Sequence, residues 1–328
     1  MIGISSLSYE LGSRIVSNTE LALSHGLPAD ELVRRTGIET RRQFGDGEDH
    51  FSLTVTAVTN ACTEAGIDLE STGDETLLIY IRTGVPTSFI PPDVVRLAAR
   101  LGMRHTRVIN LEGSCVDLVT AMDLAHLMIE SGRSDQVIIA AGMDPIISDP
   151  LDLATTSLLG GGAGAMVLTK DSPTELKLDL RASHWETYPQ LWHLTNMPLR
   201  KQRMTQTGFE IEAAFYEMAG VEGIQRLAAM APDLVDKVLA KAGWQKPDVD
   251  LVICHQPNGR ALTVINNAIG FDPGIVPAPV REIGNLGVAS ALVNLAQARE
   301  HGRLKPSSNL FILTFGAGLS CAAAAVTV

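Results

Sequence analysis

The sequence predicts an α/β fold built from two similar halves, residues 1–170 and 171–328. A helical stretch closes with Gly132-Arg133, and a second one closes with Gly302-Arg303, 170 residues further along the chain. Apolar residues that align at this offset trace one helical face in each copy: Leu118, Ala121, Met122 and Ala125, and then Val288, Ala291, Leu292 and Leu295. Self-similarity at a fixed spacing indicates that one structural unit occurs twice.

The predicted strands of the two halves also correspond. Each helix leads into a β-rich run that ends in glycine, at residues 137–142 in the first half and 311–316 in the second. Upstream, Leu77–Tyr80 resembles Leu251–Cys254. Strands with continuous apolar runs lie in sheets that are covered on both faces, so we expect helices on both sides of each sheet.

The composition excludes several classes of protein. The chain of 328 residues is 45% hydrophobic and 19% charged, as is typical of a folded domain. No apolar run reaches the roughly 18 residues that cross a bilayer. The net charge of −11 argues against a nucleic-acid partner, because phosphates must be neutralised by Lys and Arg. Four scattered cysteines predict neither disulfides nor zinc, and the N-terminal segment lacks signal-peptide features, so we expect a cytoplasmic protein.

Two groups of cations are candidates for a local basic patch that binds an acidic partner. They are Arg34, Arg35, Arg41 and Arg42, and then Arg200, Lys201 and Arg203. Solvated surface charge is the more common explanation for either group.

The offset of 170 residues pairs Cys115 with Asn285, and both follow a strand-like segment and precede a helix. The two segments read INLEGSC and REIGN. A thiol at a helix start lies at the positive end of the helix dipole, which lowers its pKa and favours the thiolate. Asp117, in the same first turn, mildly opposes the thiolate. A lone cysteine is nevertheless more often a small buried apolar residue than a nucleophile.

His255 directly follows the apolar strand Leu251–Cys254, so it should lie at the carboxyl end, where α/β proteins gather their ligand sites. An isolated histidine there is more often structural than catalytic. Cys254 is a rival nucleophile, although its place within the strand indicates an inert buried thiol. The turn at residues 315–318 offers backbone N–H groups for an oxyanion hole. The glycine-rich run at 160–164 precedes a strand, which favours close packing over a nucleotide-binding loop.

Taken together, these residues resemble the β-ketoacyl–acyl-carrier-protein synthase III family of the thiolase superfamily over nearly the whole chain. The motifs are RRTGIETRR (34–42), the segment around Cys115, LLGGGAGAMVL (158–168), CHQPNGR (254–260), Gly284-Asn285 and GRLKPSSNLFILTFGAG (302–318). The resemblance implies a thiolase fold, in which two βαβαβαββ halves form a five-layer α/β/α/β/α arrangement, usually within a homodimer.

The resemblance also implies a role for each candidate residue. Cys115 would attack an acyl thioester and hold the acyl group, while the N–H groups of Cys115 and Ala317 would bind the oxyanion. His255 and Asn285 would stabilise the enolate that forms when a malonyl thioester loses CO2, and this enolate would attack the acyl group. Phe315 would act as a gate beside the thiol.

Two further residues are implied to contact partners. Phe89, in the loop GVPTSFIPP, would reach the partner subunit's pocket, and Arg260 matches a family arginine that contacts acyl carrier protein. Glu31 and Leu153 depart from the family, because they replace a Trp and an Arg that enclose the adenine of coenzyme A. This departure favours a carrier-protein donor over free coenzyme A.

Other departures favour a secondary-metabolism enzyme over a housekeeping one. Gly161 replaces an Asp, and Glu112 stands three residues before the nucleophile, where small residues are usual. Trp185, Tyr188 and Trp192 lie in one short segment, as part of either the core or the substrate entrance.

Three functions remain open on this reasoning. The first is decarboxylative Claisen condensation on acyl-coenzyme A or acyl-carrier-protein thioesters, without a cofactor or metal. The second is acyl transfer from Cys115 to a hydroxyl or amine, with His255 as general base. The third is a non-catalytic partner subunit, against which the complete Cys-His-Asn set argues.

Overall fold

The structure is a computed structural model that describes residues 1–26, 28–83, 85–147, 149 and 151–328. The helices and strands up to residue 170 are β1 (Ile2–Leu11), β2 (Arg14–Ser17), α1 (Asn18–His25), α2 (Ala29–Thr36), β3 (Thr40–Gln43), α3 (His50–Ala65), β4 (Thr76–Ile81), α4 (Asp93–Arg100), β5 (Arg107–Leu111), α5 (Asp117–Glu130), β6 (Gln136–Met143), α6 (Leu153–Thr156) and β7 (Gly162–Lys170). Those that follow are β8 (Asp179–Thr187), β9 (Thr195–Asn196), β10 (Leu199–Met204), β11 (Phe209–Ala213), β12 (Glu217–Met218), α7 (Gly220–Ala242), β13 (Leu251–Cys254), α8 (Gly259–Ile269), α9 (Val280–Ile283), α10 (Ser290–Glu300), β14 (Asn309–Gly316) and β15 (Ser320–Thr327).

Two mixed sheets form the framework. The first has the strand order β1-β7-β6-β4-β5 and the second has the order β8-β15-β14-β13. In each sheet the inner parallel pair, β4-β6 or β13-β14, continues into two antiparallel strands. The strands of the first sheet lie before residue 171 and those of the second lie after it, although the division into halves there stays a prediction.

The helices and sheets stack in five layers, which confirms the thiolase fold class. Helices α5 and α10 pack between the two sheets, while α3 and α4 cover the outer face of the first sheet and α7 and α8 that of the second. Alternate residues of one strand pack against different helix layers, because successive side chains point to opposite faces of the sheet. In β4, Leu77 and Ile79 face α5, whereas Leu78 and Tyr80 face α3. The continuous apolar run in the sequence follows from this double coverage.

The predicted ends of the two central helices are confirmed. Gly132 and Gly302 follow α5 and α10 with φ angles of 69° and 67°, the left-handed conformation that glycine adopts readily. The next residue donates its N–H back to the helix, from Arg133 to Met128 and from Arg303 to Ala298. None of the described helices combines the length and the apolarity that a bilayer span requires.

One predicted strand is wrong. The segment REIGN begins with the helix α9, so the described part of the second half has no counterpart of β5. Pro279 lies at the start of this helix and cannot donate to a sheet ladder. The carbonyl groups of Arg281 and Glu282 accept hydrogen bonds from Glu39 N–H (2.7 Å) and Thr40 Oγ1 (2.6 Å) instead. The segment therefore pairs with the first half of the chain.

Candidate active site

A cavity of about 840 Å³ collects most of the predicted site residues. Its walls include Cys115, His255, Asn285, Phe315 and Ala317. These residues are distant in sequence, but they lie near the starts of α5 and α10 and the ends of β13 and β14. The duplicated fold thus brings a thiol, an imidazole and a carboxamide to one cavity.

Cys115 lies in a tight turn between β5 and α5. Residues 114–116 form a single 3-10 turn, and Ser114 has a φ of +72°, which L-residues rarely adopt. The hydroxyl of Ser114 lies 3.8 Å from Cys115 Sγ and donates to it. Gly284, the residue before Asn285, has a φ of +78°. A residue with a positive φ therefore precedes both Cys115 and Asn285, at the offset predicted from the sequence.

The expectation of a lowered thiol pKa is wrong. The pKa of Cys115 is raised to about 11, mainly by burial and in part by the Asp117 carboxylate, against the lowering effect of the hydrogen bond from Ser114. Desolvation disfavours the thiolate more strongly than the helix start favours it. Cys115 is consequently a neutral thiol at rest.

His255 follows β13 as predicted and is fixed by its surroundings. Its backbone N–H donates to Leu313 O (2.8 Å), and the Phe315 ring meets the imidazole edge-on, with centroids 5.1 Å apart. Burial lowers the pKa of His255 to about 4, so the ring is neutral at physiological pH. Nδ1 is buried and has no hydrogen-bond partner within the described part of the chain, which leaves Nε2 available to a substrate.

Asn285 is held through its backbone and through one side of its amide. Its N–H donates to Leu158 O (2.8 Å), and its carbonyl accepts from Gly160 N–H (2.9 Å). Asn285 Oδ1 accepts from Gly287 N–H (2.8 Å), so the Nδ2 group is the side-chain donor left for a ligand. An added Cβ on Gly160 would lie 2.4 Å from Ile283 O, which confirms that close packing explains the glycine run.

Arg41 supports this segment from behind and is not a surface cation. The side chain is fully buried and donates to Val16 O (3.2 Å), Asn18 Oδ1 (2.6 Å) and Ser157 O (2.8 Å). Burial lowers the pKa of Arg41 to about 10. Because Ser157 directly precedes the residues that pair with Asn285, Arg41 belongs to the framework of the site. Its assignment to a basic patch is therefore wrong.

The remaining cations of the two predicted patches are mostly paired. Glu31 accepts from Arg35 Nε (2.6 Å) and from Arg34, and these contacts lower its pKa. On the β10–β11 hairpin, the second group lies near glutamates: Arg200 and Glu217 (3.7 Å), Lys201 and Glu212 (3.7 Å), and Arg203 and Glu210 (2.6 Å). Neither group forms an uncompensated basic surface.

The solvent end of the cavity contains two cations. Arg35 and Arg260 are exposed and line it together with Leu153. Arg260 Nε donates to Arg34 O (2.9 Å), which ties the start of α8 to α2. Arg260, predicted to contact a carrier protein, is thus at the entrance.

Phe89 lies apart from the cavity of its own subunit. The side chain is 64% exposed, and its ring lies 6.0 Å from the ring of Phe209 on the hairpin. Its insertion into a partner subunit stays a prediction.

The aromatic segment and Glu112 also lie outside the described cavity lining. Trp185 and Trp192 are 50% and 60% exposed, so neither the core nor the entrance accounts for them. Tyr188 donates to Glu186. Glu112 pairs at the surface with Arg82 (3.3 Å).

Sequence reasoning missed two hydroxyl-bearing residues of the cavity, Thr195 and Tyr216. Burial raises the pKa of Tyr216, and so does the nearby Cys115, whereas a hydrogen bond with Thr195 lowers it. No spacing or motif connects these residues to Cys115. Among the described residues, no three His, Cys, Asp or Glu side chains cluster as metal ligands would.

Comparison with known proteins identifies the family. Residues 109–189 match the family model of 3-Oxoacyl-[acyl-carrier-protein (ACP)] synthase III, and residues 239–328 match the model of its C-terminal part, together 171 of 328 residues. Beta-ketoacyl-[acyl-carrier-protein] synthase III 2 of Streptomyces coelicolor is 29% identical, over 96% of this chain and 90% of that protein. The 3-oxopimeloyl-[acyl-carrier-protein] synthase of Rhodothermus marinus is 29% identical, over 93% and 88%.

A solved structure gives the same result. The crystal structure of 3-oxoacyl-(acyl carrier protein) synthase III from Pseudomonas aeruginosa has a TM-score of 0.85 at 25% identity, covering 99% of this chain and 98% of that one. Two α/β halves that share one cavity define an enzyme of the condensing class with a thiolase fold. The chain belongs to the 3-oxoacyl-[acyl-carrier-protein] synthase III family, which confirms the resemblance found in the sequence.

Proposed function

We propose that this enzyme is an acyltransferase that loads an acyl group on Cys115 and condenses it with a malonyl thioester. The observation that carries the proposal is the combination of one thiol with two neutral hydrogen-bond donors on one cavity wall. His255 is neutral because burial lowers its pKa to about 4, and Asn285 offers its Nδ2 group. An enolate needs such donors, because they stabilise negative charge without titrating.

The reaction has two stages. Cys115 Sγ bonds to the donor's carbonyl carbon, the donor's C–S bond breaks, and the thiol proton leaves with the departing thiolate. Decarboxylation then releases CO2 from the malonyl thioester, and His255 Nε2 and Asn285 Nδ2 donate to the enolate oxygen. The enolate carbon attacks the acyl carbonyl, the bond from that carbon to Cys115 Sγ breaks, and Cys115 leaves as a thiolate that takes a proton from solvent. No step requires a resident cofactor or metal.

Plain acyl transfer is the weaker alternative. A general base is most effective when its pKa lies near the working pH, whereas that of His255 is lowered to about 4. Asn285 would also have no evident task, since no enolate forms. A non-catalytic subunit would need neither residue beside a thiol.

Acyl loading is the first test. After exposure to acyl thioesters, intact-protein mass spectrometry should show one acyl adduct, absent in Cys115→Ala and retained in Cys254→Ala. Cys254 is a suitable control because it is buried, with a pKa raised to about 12. An adduct that persists in Cys115→Ala contradicts the assignment.

Release of CO2 from labelled malonyl thioester is the second test. Asn285→Ala should still load Cys115 but release CO2 roughly 10²- to 10³-fold more slowly, because one enolate donor is lost. The exposed Asn60, which bonds Glu10 (3.0 Å), supplies the control Asn60→Ala, which should be unaffected. Unchanged CO2 release by Asn285→Ala would contradict the role of Asn285, loading without CO2 release by the wild type would favour acyl transfer, and absence of both in the wild type would favour the subunit role.

A carrier protein is the proposed acyl donor. The support is twofold: Leu153 offers no cation to an adenine ring, and Arg35 and Arg260 lie at the cavity entrance. Carrier proteins are acidic, so the contact should weaken as salt screens exposed charges. Loading from acyl-carrier protein should exceed loading from matched acyl-coenzyme A and should fall in Arg260→Glu. The same charge change at Arg104, exposed and paired with Glu70, is the control. Equal or faster loading from coenzyme A contradicts this donor.

A homodimer is the proposed assembly. Strand β5 is an edge of the first sheet, and the nearby loop exposes Val85 (58%), Phe89 (64%) and Ile90 (89%). Open edges and exposed apolar side chains favour association. Sedimentation should give a dimer that Phe89→Glu weakens, and a monomer at micromolar concentration would contradict it. The cytoplasmic location and a role in secondary metabolism stay predictions.

A further inference from the structure

The turn that carries Cys115 is closed by a buried side chain that the proposed reaction does not use. Asp117, the first residue of α5, is only 5% exposed. Its Oδ2 accepts a hydrogen bond of 2.5 Å from Gly113 N–H. This bond joins the two ends of the turn and encloses the nucleophile between them.

The backbone of the turn is adapted to this contact. A Cβ added to Gly113 would lie 2.4 Å from Asp117 Oδ1, so a larger residue would displace the carboxylate. Between the two ends, Ser114 adopts its φ of +72°. Val116 occupies the position before α5 and gives no side-chain cap. The charge-assisted bond from Gly113 helps to hold the unusual conformation in place, together with the bond from Thr314 Oγ1 to Val116 O (3.2 Å).

The same carboxylate also acts on the thiol electrostatically. Asp117 has no cationic partner among the described residues, and its charge raises the pKa of Cys115 beyond the effect of burial. Arg35, Asp152 and Arg260 also line the cavity but do not shift the pKa of Cys115, and the two other titratable side chains of the lining are His255 and Tyr216. Both are neutral near pH 7, because burial lowers the pKa of His255 and raises that of Tyr216. Asp117 is thus the charged group that acts on the nucleophile.

We infer that Asp117 is a positioning residue that fixes the nucleophile turn through Gly113, and that its charge adds to the effect of burial in opposing thiolate formation at Cys115 until an acyl donor binds. The thiol then gives its proton to the donor's departing thiolate, as its own sulfur bonds to the acyl carbon. A resting neutral thiol reacts slowly with oxidants and alkylating agents, because the thiolate is the reactive form. The inference rests on the proposed role of Cys115.

Alkylation of the free enzyme tests the charge effect. Cys62, Cys254 and Cys321 are buried, with pKa values raised to about 12, so iodoacetamide should modify Cys115 selectively. In Asp117→Asn the amide oxygen still accepts from Gly113, but the charge is gone. The lowered pKa of Cys115 should give more thiolate near pH 8 and faster alkylation, with part of the gain offset by the weaker nucleophilicity of a less basic thiolate. The whole pH profile should move to lower pH.

A matched variant on the same helix supplies the control. Asp123 accepts a hydrogen bond from Ser183 Oγ (2.8 Å), and Asp123→Asn keeps that contact while removing one charge farther from the thiol. Its alkylation profile should equal that of the wild type. An unchanged profile in Asp117→Asn, or an equal shift in Asp123→Asn, overturns the charge effect.

Acyl loading tests the positioning effect. Asp117→Ala leaves Gly113 N–H without its acceptor, so the maximal loading rate should fall about tenfold while the Km for the donor changes little. If this variant does not fold, Gly113→Ala tests the same contact by displacing the carboxylate. Wild-type loading by a folded variant of either kind overturns the positioning role. Failure of the wild type to load any thioester would refute the proposed function, whereas the alkylation profile would still decide the charge effect.

Discussion

The end of β14 packs so closely on the nucleophile turn that a single methyl group should misplace Cys115. A Cβ added to Gly316 would lie 2.8 Å from Cys115 N, 3.1 Å from Ser114 Oγ and 3.3 Å from Cys115 Cβ. Ordinary contact begins at 3.4 Å, so Gly316→Ala requires the backbone of the turn to move by about 0.6 Å. The nearest atom belongs to the backbone, which cannot rotate away as a flexible side chain would.

The cost should appear mainly in acyl loading. A misplacement of about 1 Å can cost on the order of 10²-fold in rate, so a shift of about 0.6 Å should slow the loading of Cys115 at least tenfold. Overpacking should also cost about 1–3 kcal/mol of unfolding free energy. Rapid quenching followed by intact-protein mass spectrometry measures the loading rate, and denaturant unfolding measures stability. The Km for the donor should change little, because the cavity entrance is distant from the turn.

Gly66→Ala is a control that separates the effect on the loading rate from the effect on stability. Gly66 ends α3 with a φ of 71° and has no atom within 4 Å of an added Cβ, so alanine there costs about 1–2 kcal/mol through backbone strain alone. Its loading rate should equal that of the wild type. If folded Gly316→Ala also loads at the wild-type rate, the turn is not held rigidly, and the reasoning from close packing fails.

Three further variants test the buried titratable side chains of His255, Asp117 and Arg41. The pKa of His255 is lowered to about 4, so the unfolding free energy is unaffected by this group above its unfolded pKa of about 6.5 and decreases as pH falls below that value. In denaturant titrations at pH 5, His255→Gln should remove about 2 kcal/mol of this decrease. The pKa of Asp117 is raised to about 6, so its carboxylate destabilises the fold above that pH. Asp117→Asn should therefore increase the unfolding free energy by up to about 3 kcal/mol at pH 8, and this increase should vanish by pH 4. Arg41→Lys cannot keep all three hydrogen bonds and should cost about 2–4 kcal/mol in chemical unfolding. The burial argument is contradicted if His255→Gln is as sensitive to acid as the wild type, or if Asp117→Asn gains stability equally at all pH values. It is also contradicted if Arg41→Lys is as stable as the wild type.

The duplicated fold was predictable because its signal is carried by long apolar patterns. Residues 251–254 are apolar on both faces because α8 and α10 cover opposite sides of β13. The glycines after α5 and α10 fixed the offset of 170 residues, which in turn paired Cys115 with Asn285. The residues before Cys115 and Asn285, Ser114 and Gly284, both have a positive φ, which agrees with this pairing.

The predictions from the sequence were wrong or incomplete where contacts with distant segments outweigh the local sequence pattern. Arg41 lies in a run of charged residues that looks solvated, but three oxygen acceptors from distant segments enclose it. REIGN resembles a strand end by its alignment with INLEGSC, but its carbonyl groups pair with residues 39 and 40. Thr195 lies in the two-residue strand β9 and Tyr216 in the link between β11 and β12, and both segments are too short to show a periodicity.

The wrong pKa expectation for Cys115 has the most consequence for mechanism. A helix start would favour a standing thiolate, yet burial and Asp117 both oppose it. The same burial keeps His255 uncharged, so the proposed site holds a neutral thiol and neutral donors before substrate binds. Charge would then appear only transiently, on the oxyanion and on the enolate. In a desolvated cavity, fixed donors stabilise such transient charge more strongly than they would in water, and no resting ion competes for them. Burial therefore has two effects: it disfavours the thiolate form of Cys115, and it makes His255 and Asn285 effective hydrogen-bond donors to an enolate.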